Sequence, residues 1–290
     1  MNPAATPRNA ALALRFLKEL GPGGPPVLDA RRVAIVAAHP DDETVGLGGQ
    51  LNRLSGVRII HVTDGAPADL MDARSHGCDT REEYAALRQE ELEGAMALAG
   101  IPPARLIPLG VADQEASFVM AGLAQRLADL IDGGDVGCII THPYEGGHPD
   151  HDAACFATHA AAELLRQRGL SVPALLEMTS YHAAPGGEGL ETGRFLPTPG
   201  AGPQAVLPLD TDGRAQKRRL FAAFASQSAV LNQFTTADER LRAAPRYDFL
   251  EPPHPGRLWY ENFPWGYDGR TWRDRAAEAV AQLELEAPPW

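Results

Sequence analysis

The chain has 290 residues, of which 44% are hydrophobic and 22% charged, the composition of an ordinary folded protein rather than a disordered or fibrous one. Its formal net charge of −12 disfavours nucleic acid and anionic membranes as partners, because both are bound mainly by lysine and arginine. No apolar run approaches the ~18 residues that span a bilayer, and the widely spaced cysteines match neither a disulfide framework nor a zinc knuckle. We therefore expect a cytoplasmic protein that binds neither nucleic acid nor a membrane.

Strand and helix patterns alternate from about residue 32 to residue 181. The predicted strands are short apolar runs with β-branched residues, and the predicted helices are longer stretches in which apolar residues recur at helical spacing. In chain order the pattern predicts a helix at 11–20, a strand at 32–38, a helix at 42–54, a strand at 57–63, a loop at 64–79, a helix at 81–99, a strand at 105–109, a helix at 119–131, a strand at 137–141, a helix at 151–168 and a strand at 174–181. This alternation predicts an α/β fold with a mainly parallel sheet and right-handed crossovers.

Beyond residue 181 the pattern is less regular. Glycine and proline crowd residues 183–204, which predicts a loop. Aromatic residues crowd 247–272, where they would either anchor a C-terminal lobe or a subunit interface, or stack on a ligand. The other predicted elements are a strand at 205–209, a helix at about 212–226 and a helix at about 272–285.

Two clusters of metal-binding residue types follow predicted strands. His39-Pro40-Asp41-Asp42-Glu43 comes directly after the strand at 32–38, and His148-Pro149-Asp150-His151 follows the strand at 137–141. Because open α/β sheets bind ligands at the carboxyl ends of their strands, a parallel sheet would bring both clusters to one edge. One such motif alone is most often a turn, since aspartate and proline stabilise turns, but two together favour a ligand site.

The two clusters contain enough ligands for one catalytic divalent metal ion. Catalytic zinc typically keeps three protein ligands drawn from histidine, aspartate and glutamate, with a fourth position open to water. His39 and Asp42, spaced i and i+3, could share an ion with His151. The acid and base candidates that remain are Asp41, His148 and Asp150. Amide hydrolysis needs such groups, because water must lose a proton and nitrogen must gain one.

Two further histidines need separate interpretations. His142 is close enough in sequence to the second cluster to line the same cleft. His61 lies within a predicted strand, so we expect it to be a core histidine with a hydrogen-bond partner.

The motifs resemble those of the LmbE-like, or PIG-L, family of zinc-dependent N-acetylglucosaminyl deacetylases. The resemblance covers roughly residues 31–182 and implies a Rossmann-like fold with a less regular C-terminal extension. The residues that carry it are Ala38 to Glu43, the glycines from Gly46 to Gly49, Thr63-Asp64-Gly65, Arg88 with Glu91, Leu98-Ala99-Gly100, and Gly147 to His151.

The resemblance also implies a role for each residue of the two clusters. His39, Asp42 and His151 would hold one zinc ion per chain, with Fe²⁺ or another divalent ion as the alternative. Asp41 would be the general base, His148 the electrophile and acid, and Asp150 would orient the His148 imidazole.

The resemblance further suggests where substrate is bound. It places substrate contacts near Arg88 and Asp113. Some relatives have a tyrosine two residues before the first histidine of the second cluster, whereas this chain has Gly146 there. Tyr144 and Glu145, which precede that glycine, are therefore the remaining candidates for substrate contact.

These observations lead us to expect removal of an acyl group, most simply acetyl, from the amine of an N-acetylglucosamine-type small molecule. An amidase for a larger acyl or thiol conjugate is an alternative that the same metal centre could serve. A sugar-binding protein without turnover is disfavoured, because binding alone would not require Asp41 and His148. A metal phosphoesterase is disfavoured by the lack of a second ligand cluster or a glycine-rich phosphate loop in the sequence.

We divide the chain into three parts on this basis. Residues 1–30 form an N-terminal helix and linker, and residues 31–182 form the metal-dependent catalytic core. Residues 183–290 complete the domain and the substrate pocket. The sequence leaves the oligomeric state open, and a homo-oligomer is compatible with it.

Overall fold

Helices cover both faces of one central sheet. The computed structural model describes residues 5–132, 135–184, 187 and 189–290. The α-helices are α1 (Pro7–Leu20), α2 (Asp42–Leu47), α3 (Met71–Ser75), α4 (Arg81–Leu98), α5 (Met120–Asp132), α6 (Pro149–Gln167), α7 (Thr211–Ala223), α8 (Ser228–Leu231) and α9 (Gly269–Gln282). The strands are β1 (Leu28–Asp29), β2 (Val33–Ala37), β3 (Leu54–Ser55), β4 (Arg58–Pro67), β5 (Leu106–Asp113), β6 (Cys138–Thr141), β7 (Ala174–Met178), β8 (Tyr181–Ala183), β9 (Leu190–Thr192), β10 (Ala205–Pro208) and β11 (Asp238–Ala243). Short 3₁₀ helices occur at Leu51–Arg53, Pro103–Arg105, Ala116–Phe118, Ala225–Gln227 and Trp259–Asn262.

The central sheet is mainly parallel, as predicted from the sequence. Its strand order is β10-β11-β7-β6-β2-β4-β5. The strands from β7 to β5 run parallel, whereas β11 pairs antiparallel with β7, and β10 pairs antiparallel with β11. β2 lies between β4 and β6, with Ala34 opposite Arg58 on one side and Ile139 on the other. The strand order therefore reverses between β2 and β6, and a reversal of this kind leaves a crevice for ligands at the carboxyl ends of the strands.

Alternate side chains of β2 point into two separate halves of the core. Ala34 and Val36 pack in the half that contains α5, α6 and α9. Val33 and Ile35 pack in the half that contains α1, α4 and α7. Burial on both faces explains why this strand reads as a continuous apolar run in the sequence. Among the residues that the structure describes, no helix has both the length and the apolar character needed to cross a bilayer.

Four stretches differ from the elements predicted from the sequence. The helix predicted at 42–54 ends at Leu47 with Gly48 as its cap, and a 3₁₀ helix and strand β3 follow it. Residues 64–79, predicted as a loop, contain the end of β4 and helix α3, and β5 continues to Asp113. Glycine and proline disguise the end of β4, where its pairing with β5 is also irregular. β8 and β9 pair as a hairpin that extends into the predicted loop at 183–204. β11 was not predicted, because its charged residues conceal the strand pattern.

A buried ion pair links α7, β11 and the carboxyl end of α2. Lys217 Nζ donates to Val45 O at 2.7 Å and lies 3.0 Å from Glu239 Oε1, which also accepts from Gly49 N at 2.8 Å. The two charged side chains are 2% and 0% exposed. The pair therefore fixes the end of the helix whose first residue is Asp42.

Lys217→Met should destabilise the fold by about 3–5 kcal/mol, because it leaves the Glu239 carboxylate buried without its counter-charge. Urea unfolding followed by circular dichroism measures this loss. The double variant Lys217→Met/Glu239→Gln removes both charges and should recover part of the stability. A single variant as stable as the wild type would contradict a bracing role for the pair.

Candidate metal centre

β2 and β6 bring the two sequence clusters into one crevice. β2 ends at Ala37, shortly before His39, and β6 ends at Thr141, from which the chain reaches His148. His148 caps the amino end of α6, and His151 lies in the first turn of that helix. Because the two strands are neighbours, His39 and His151 come into contact although they are 112 residues apart in sequence.

Donor atoms of three side chains converge at the centre of the crevice, one nitrogen from each histidine and both oxygens of Asp42. His39 Nδ1 lies 3.2 Å from Asp42 Oδ2 and 3.2 Å from His151 Nε2. His151 Nε2 also lies 3.2 Å from Asp42 Oδ1. A tetrahedral ion with bonds of about 2.1 Å would hold its ligand atoms roughly 3.4 Å apart. The spacing of these atoms therefore fits one small divalent cation, and the three residues form a group that could hold a metal ion.

The outward-facing nitrogens of both histidines have their own partners. Asp113 Oδ1 lies 3.0 Å from His39 Nε2, and Ser180 Oγ lies 3.4 Å from His151 Nδ1. A proton on the outward nitrogen leaves the inward nitrogen with a free lone pair. Metal-binding histidines usually have such partners, which fix the tautomer and the orientation of the ring.

Burial and neighbouring charges determine the protonation of the three ligand candidates. Burial lowers the pKa of His151 to about 4, so that its imidazole is neutral. Burial opposes the ionised form of Asp42, but nearby imidazoles, first His151, outweigh it and hold the pKa of that carboxyl well below its usual value. Burial also opposes protonation of His39, yet the carboxylates around it, first Asp113, raise its pKa well above the usual value. The surrounding carboxylates thus favour a positive charge at this point, which either a proton or a metal ion supplies.

Asp41 lies next to the donor atoms in an unusual backbone conformation. Its φ of 137° is one that costs a non-glycine residue on the order of 1–3 kcal/mol. Arg88 Nη2 donates to Pro40 O at 2.6 Å and to Asp41 Oδ2 at 3.1 Å, and it thereby holds the turn in place. Burial raises the pKa of Asp41 to about 7, although the Arg88 guanidinium opposes that shift. A carboxyl group with a pKa near neutrality is suited to proton transfer.

His148 is held as a neutral imidazole at the edge of the crevice. Its Nδ1 accepts a hydrogen bond from Asp150 N at 3.2 Å, which leaves Nε2 to carry the proton. Burial, together with the charge of His39, holds the pKa of His148 well below its usual value. The ring centroid lies 4.5 Å from that of His39 and 5.1 Å from that of Trp265. The Nε2–H group is therefore available to donate a hydrogen bond.

The Asp150 carboxylate fixes the loop that follows β5. It accepts hydrogen bonds from Gln114 N at 2.6 Å and Ala116 N at 3.0 Å. The same carboxylate lies 3.4 Å from His39 Nε2 but 4.0 Å from His148 Nδ1. Asp150 thus contacts the His148 imidazole through its backbone N–H, while its side chain positions the loop beside Asp113.

Two of the four predicted substrate contacts line a cavity of about 180 Å³ above the donor atoms. These two are Arg88 and Asp113. Tyr144 lies in the core, where its ring stacks on Trp272 and its hydroxyl donates to Glu251 O. Glu145 is buried against Arg242 and accepts from Leu196 N at 2.7 Å. The structure therefore does not bring Tyr144 and Glu145 to the cavity, because core packing and an ion pair hold them elsewhere.

His61 and His142 both lie in the interior of the protein. His61 Nε2 is 3.0 Å from Glu43 Oε2, so it is a core histidine with a partner, as expected. His142 is fully buried, stacks on His151 with ring centroids 4.1 Å apart, and has its Nε2 3.3 Å from Asp42 Oδ2. His142 Nε2 accepts a hydrogen bond from Ala38 N at 3.0 Å, so His142 packs behind His151 without donating to Asp42, and it does not line the cavity.

Several cavity-lining residues were not identified from the sequence. Most of them are ordinary apolar or amide side chains, which carry no pattern of their own. Trp265 lies in the aromatic-rich segment 247–272, and this enrichment was the one sequence feature that could have indicated a residue of the cavity lining. The residues that were missed are Val45, Asp72, Gln114, Tyr181, Gln227, Val230, Leu231, Phe234 and Trp265.

Two other groups of ligand-type residues are less suited to a cation. One shares His39 with Asp113, His148 and Asp150, but backbone N–H groups already occupy His148 Nδ1 and the Asp150 carboxylate. The other contains Cys155, His159 and Glu177. In that group the two oxygens of Glu177 already accept hydrogen bonds, one from Arg242 Nε at 2.6 Å and one from the Tyr247 hydroxyl at 2.6 Å.

Comparison with known proteins finds a matching family and relatives of similar sequence. A family model described as PIG-L, GlcNAc-PI de-N-acetylase, matches residues 34–162. Over 154 residues the chain is 30% identical to 1D-myo-inositol 2-acetamido-2-deoxy-alpha-D-glucopyranoside deacetylase of Mycobacterium sp. (strain KMS), covering 46% of this chain and 50% of that protein. The chain thus spans about half the length of this curated relative. The protein of the same name from Gordonia bronchialis is 27% identical over 259 residues, covering 75% of this chain and 89% of its own length.

A solved structure supports the same fold. The crystal structure of the A40926 pseudoaglycone deacetylase Dbv21 superposes with a TM-score of 0.55 and 20% identity, covering 74% of this chain and 97% of that one. At this identity the likeness establishes the fold alone.

Proposed function

Residues 34–162 belong to the PIG-L, or LmbE-like, family, and from this premise we propose that the chain is a metal-dependent hydrolase that removes acetyl from the amine of an N-acetylglucosamine-type conjugate. One observation carries the proposal. The donor atoms of His39, Asp42 and His151 converge, and a candidate base, Asp41, and a candidate hydrogen-bond donor, His148, line the same cavity. The relatives that match the chain are named as deacetylases of acetylated amino sugars, which agrees with this assignment.

The proposed cofactor is one zinc ion, held by His39, Asp42 and His151. Two imidazoles and a carboxylate are a ligand set that zinc favours in catalytic sites, although Fe²⁺ would also fit it. When bound, such an ion polarises the substrate carbonyl and lowers the pKa of a water molecule.

Asp41 would carry the proton of the reaction, and His148 would stabilise the negative charge on the carbonyl oxygen. Asp41 would accept a proton from the water that adds to the amide carbon, while Arg88 keeps its carboxylate and its strained turn in place. His148 Nε2–H would donate a hydrogen bond to the carbonyl oxygen, and Asp41 would pass its proton to the amine nitrogen as the C–N bond breaks. The backbone N–H of Asp150 would hold the His148 ring in the tautomer that these steps need. The products are acetate and a free amine.

The C-terminal part from residue 183 onward would complete the substrate pocket. Gln227, Val230 and Phe234 line the cavity from the region around α8, and Trp265 lines it from the aromatic segment. The catalytic core at 31–182 would thus supply the chemistry, and the C-terminal part would contribute to the selection of substrate.

Acetate release tests this proposal directly. Zinc-loaded protein is incubated with glycosides of glucosamine that carry acetyl, propionyl or hexanoyl on nitrogen, and both the acid and the amine are quantified. We expect release of acetate, with slower release of the longer acids. Failure to hydrolyse any acyl amide, in protein that holds its metal, would contradict the proposed activity.

His148→Ala should lower kcat by about 100-fold to 10,000-fold and change KM little, because this side chain is proposed to act on the reacting atoms rather than to hold the sugar. Steady-state kinetics on the acetylated glycoside separates the two constants. His76→Ala removes an exposed histidine outside the cavity lining and should leave both constants unchanged. An unaltered kcat in His148→Ala would remove this residue from the mechanism.

A further inference from the structure

The cavity above the metal centre offers little free positive charge to a ligand. Among the described residues that line it, Arg88 is the single lysine or arginine, and this residue is 2% exposed. Its Nη2 is bonded to Pro40 O and Asp41, and its Nη1 donates to Ser226 Oγ at 3.4 Å. Its Nε is buried without a hydrogen-bond partner and packs against Gly65, where an added Cβ would lie 2.8 Å away. The guanidinium therefore braces the turn at Asp41 instead of presenting a fork for an anion.

Carboxylates are more numerous on the same walls. Asp41 and Asp42 lie at the floor of the cavity, and Asp72 and Asp113 also line it. Asp72 is exposed, and burial followed by the neighbouring charge of Asp113 raises its pKa. A divalent ion would balance two of these four carboxylate charges, and Arg88 would balance a third. The cavity lining would therefore keep about one negative charge. A ligand anion would meet this charge in a partly desolvated space, where repulsion is stronger than in bulk water.

An aromatic surface lies next to His148. The Trp265 ring lines the cavity with its centroid 5.1 Å from that of His148. Phe263 stacks behind it, with centroids 4.5 Å apart and an interplanar angle of 13°. Phe263 is itself 36% exposed, so the pair forms a flat apolar surface that reaches from the reaction centre toward solvent. Rigid aromatic faces of this kind bind rings at low conformational cost.

Other residues of the cavity lining are apolar as well. They are Val230, Leu231 and Phe234, and Val230 is 45% exposed. A group attached to the sugar would therefore meet apolar and aromatic side chains in the cavity, with Asp72 as the charged group on the exposed part of the lining.

We propose that the substrate is a neutral or cationic conjugate of the acetylated amino sugar, with an apolar or aromatic group that packs on Trp265, and that Asp72 rejects conjugates bearing a carboxylate or phosphate. This inference rests on the deacetylase activity proposed above and narrows it to a substrate class. Asp72 and Trp265 are then residues that determine specificity, and neither takes part in the chemical steps.

Matched aryl glycosides of N-acetylglucosamine test this inference. The probes are the phenyl, 4-carboxyphenyl and 4-trimethylammoniophenyl glycosides, together with the methyl glycoside. Two quantities are measured on zinc-loaded protein: kcat/KM for acetate release, and the Kd of the corresponding glucosamine glycosides by calorimetry. We expect the 4-carboxyphenyl probe to have a kcat/KM at least about 10-fold lower than the phenyl probe, and its amine product to have a Kd at least about 10-fold higher. Because screening weakens exposed charges, the gap should narrow at 0.5 M salt.

Two substitutions assign this selectivity to residues. Asp72→Asn should raise the kcat/KM of the 4-carboxyphenyl probe relative to that of the phenyl probe by about 3-fold to 10-fold. Asp274→Asn removes an exposed carboxylate from α9 outside the cavity lining and should leave this ratio of kcat/KM values unchanged. Trp265→Ala should remove most of the preference for phenyl over methyl glycoside, and Trp265→Phe should retain it.

The two measurements separate failure of this inference from failure of the proposed activity. If no glycoside releases acetate, the activity is wrong, but the Kd values of the amine products still test the selectivity. Equal Kd values for anionic, neutral and cationic products, or no binding of any of them, would overturn the assignment of substrate class. An unchanged ratio in Asp72→Asn would equally overturn the role of that residue.

Discussion

Asp41→Asn should abolish turnover while the protein keeps its metal. Asparagine has the same shape but cannot accept a proton, so we expect kcat to fall by about 1,000-fold to 10,000-fold, the upper range for loss of a general base. The amide oxygen of asparagine can still accept from Arg88, which should preserve the strained turn. Steady-state kinetics measures the loss, and inductively coupled plasma mass spectrometry measures the retained metal.

Asp129→Asn is the matched control for this substitution. It replaces a surface carboxylate that is also paired with an arginine, at 3.2 Å from Arg168, and should leave kcat unchanged. If Asp41→Asn kept more than about a tenth of the wild-type kcat, Asp41 would not be the base.

His151→Ala should lose both the metal and the activity. It removes one of three protein ligands, so its metal affinity should fall by more than the 10-fold to 100-fold that loss of an outer hydrogen bond typically costs. Competition with a chromophoric chelator measures the affinity. Ser180→Ala provides a graded comparison, because it removes only the partner of His151 Nδ1. Its loss of metal affinity should stay within about 10-fold to 100-fold.

Together, these two variants distinguish a base, Asp41, from a metal ligand, His151. Equal loss of metal in Asp41→Asn and His151→Ala would refute this distinction, because Asp41 would then be a ligand. Retention of full metal affinity by His151→Ala would place the cation elsewhere.

The α/β class followed from the sequence because its signals are local. Strands such as β2 are buried on both faces, so their apolar runs stand out, and α4 carries a complete capping box at Thr80 and Glu83. β11 gave no such signal. Its Glu239 and Arg242 are buried because Lys217 and Glu177 neutralise them, and a partner that is distant in the chain cannot be recognised from a strand's own residues.

The candidate site was predictable where its residues are consecutive. His39, Asp41 and Asp42 occupy one tight turn, and His148, Asp150 and His151 occupy one helix start, so each cluster could be recognised as a unit. That His39 Nδ1 and His151 Nε2 would meet depends on β2 and β6 being neighbours, which the alternation of elements permits but does not determine.

The walls of the cavity were mostly not predictable. Tyr144 and Glu145 are next to the second cluster in sequence, yet the aromatic core and Arg242 hold them away from the cavity. Asp72 and Phe234 reach it from separate segments through tertiary packing. A substrate pocket assembled from scattered side chains has no sequence motif, whereas a metal centre concentrated in two turns has one.

Crystallography of the zinc-loaded protein, with anomalous diffraction at the zinc edge, would locate the ion itself. We expect one ion per chain, within about 2.0–2.2 Å of His39 Nδ1, an Asp42 oxygen and His151 Nε2, and with a coordination position left open. An ion bound instead by Cys155, His159 and Glu177, or no ion between the three proposed ligands, would contradict this expectation.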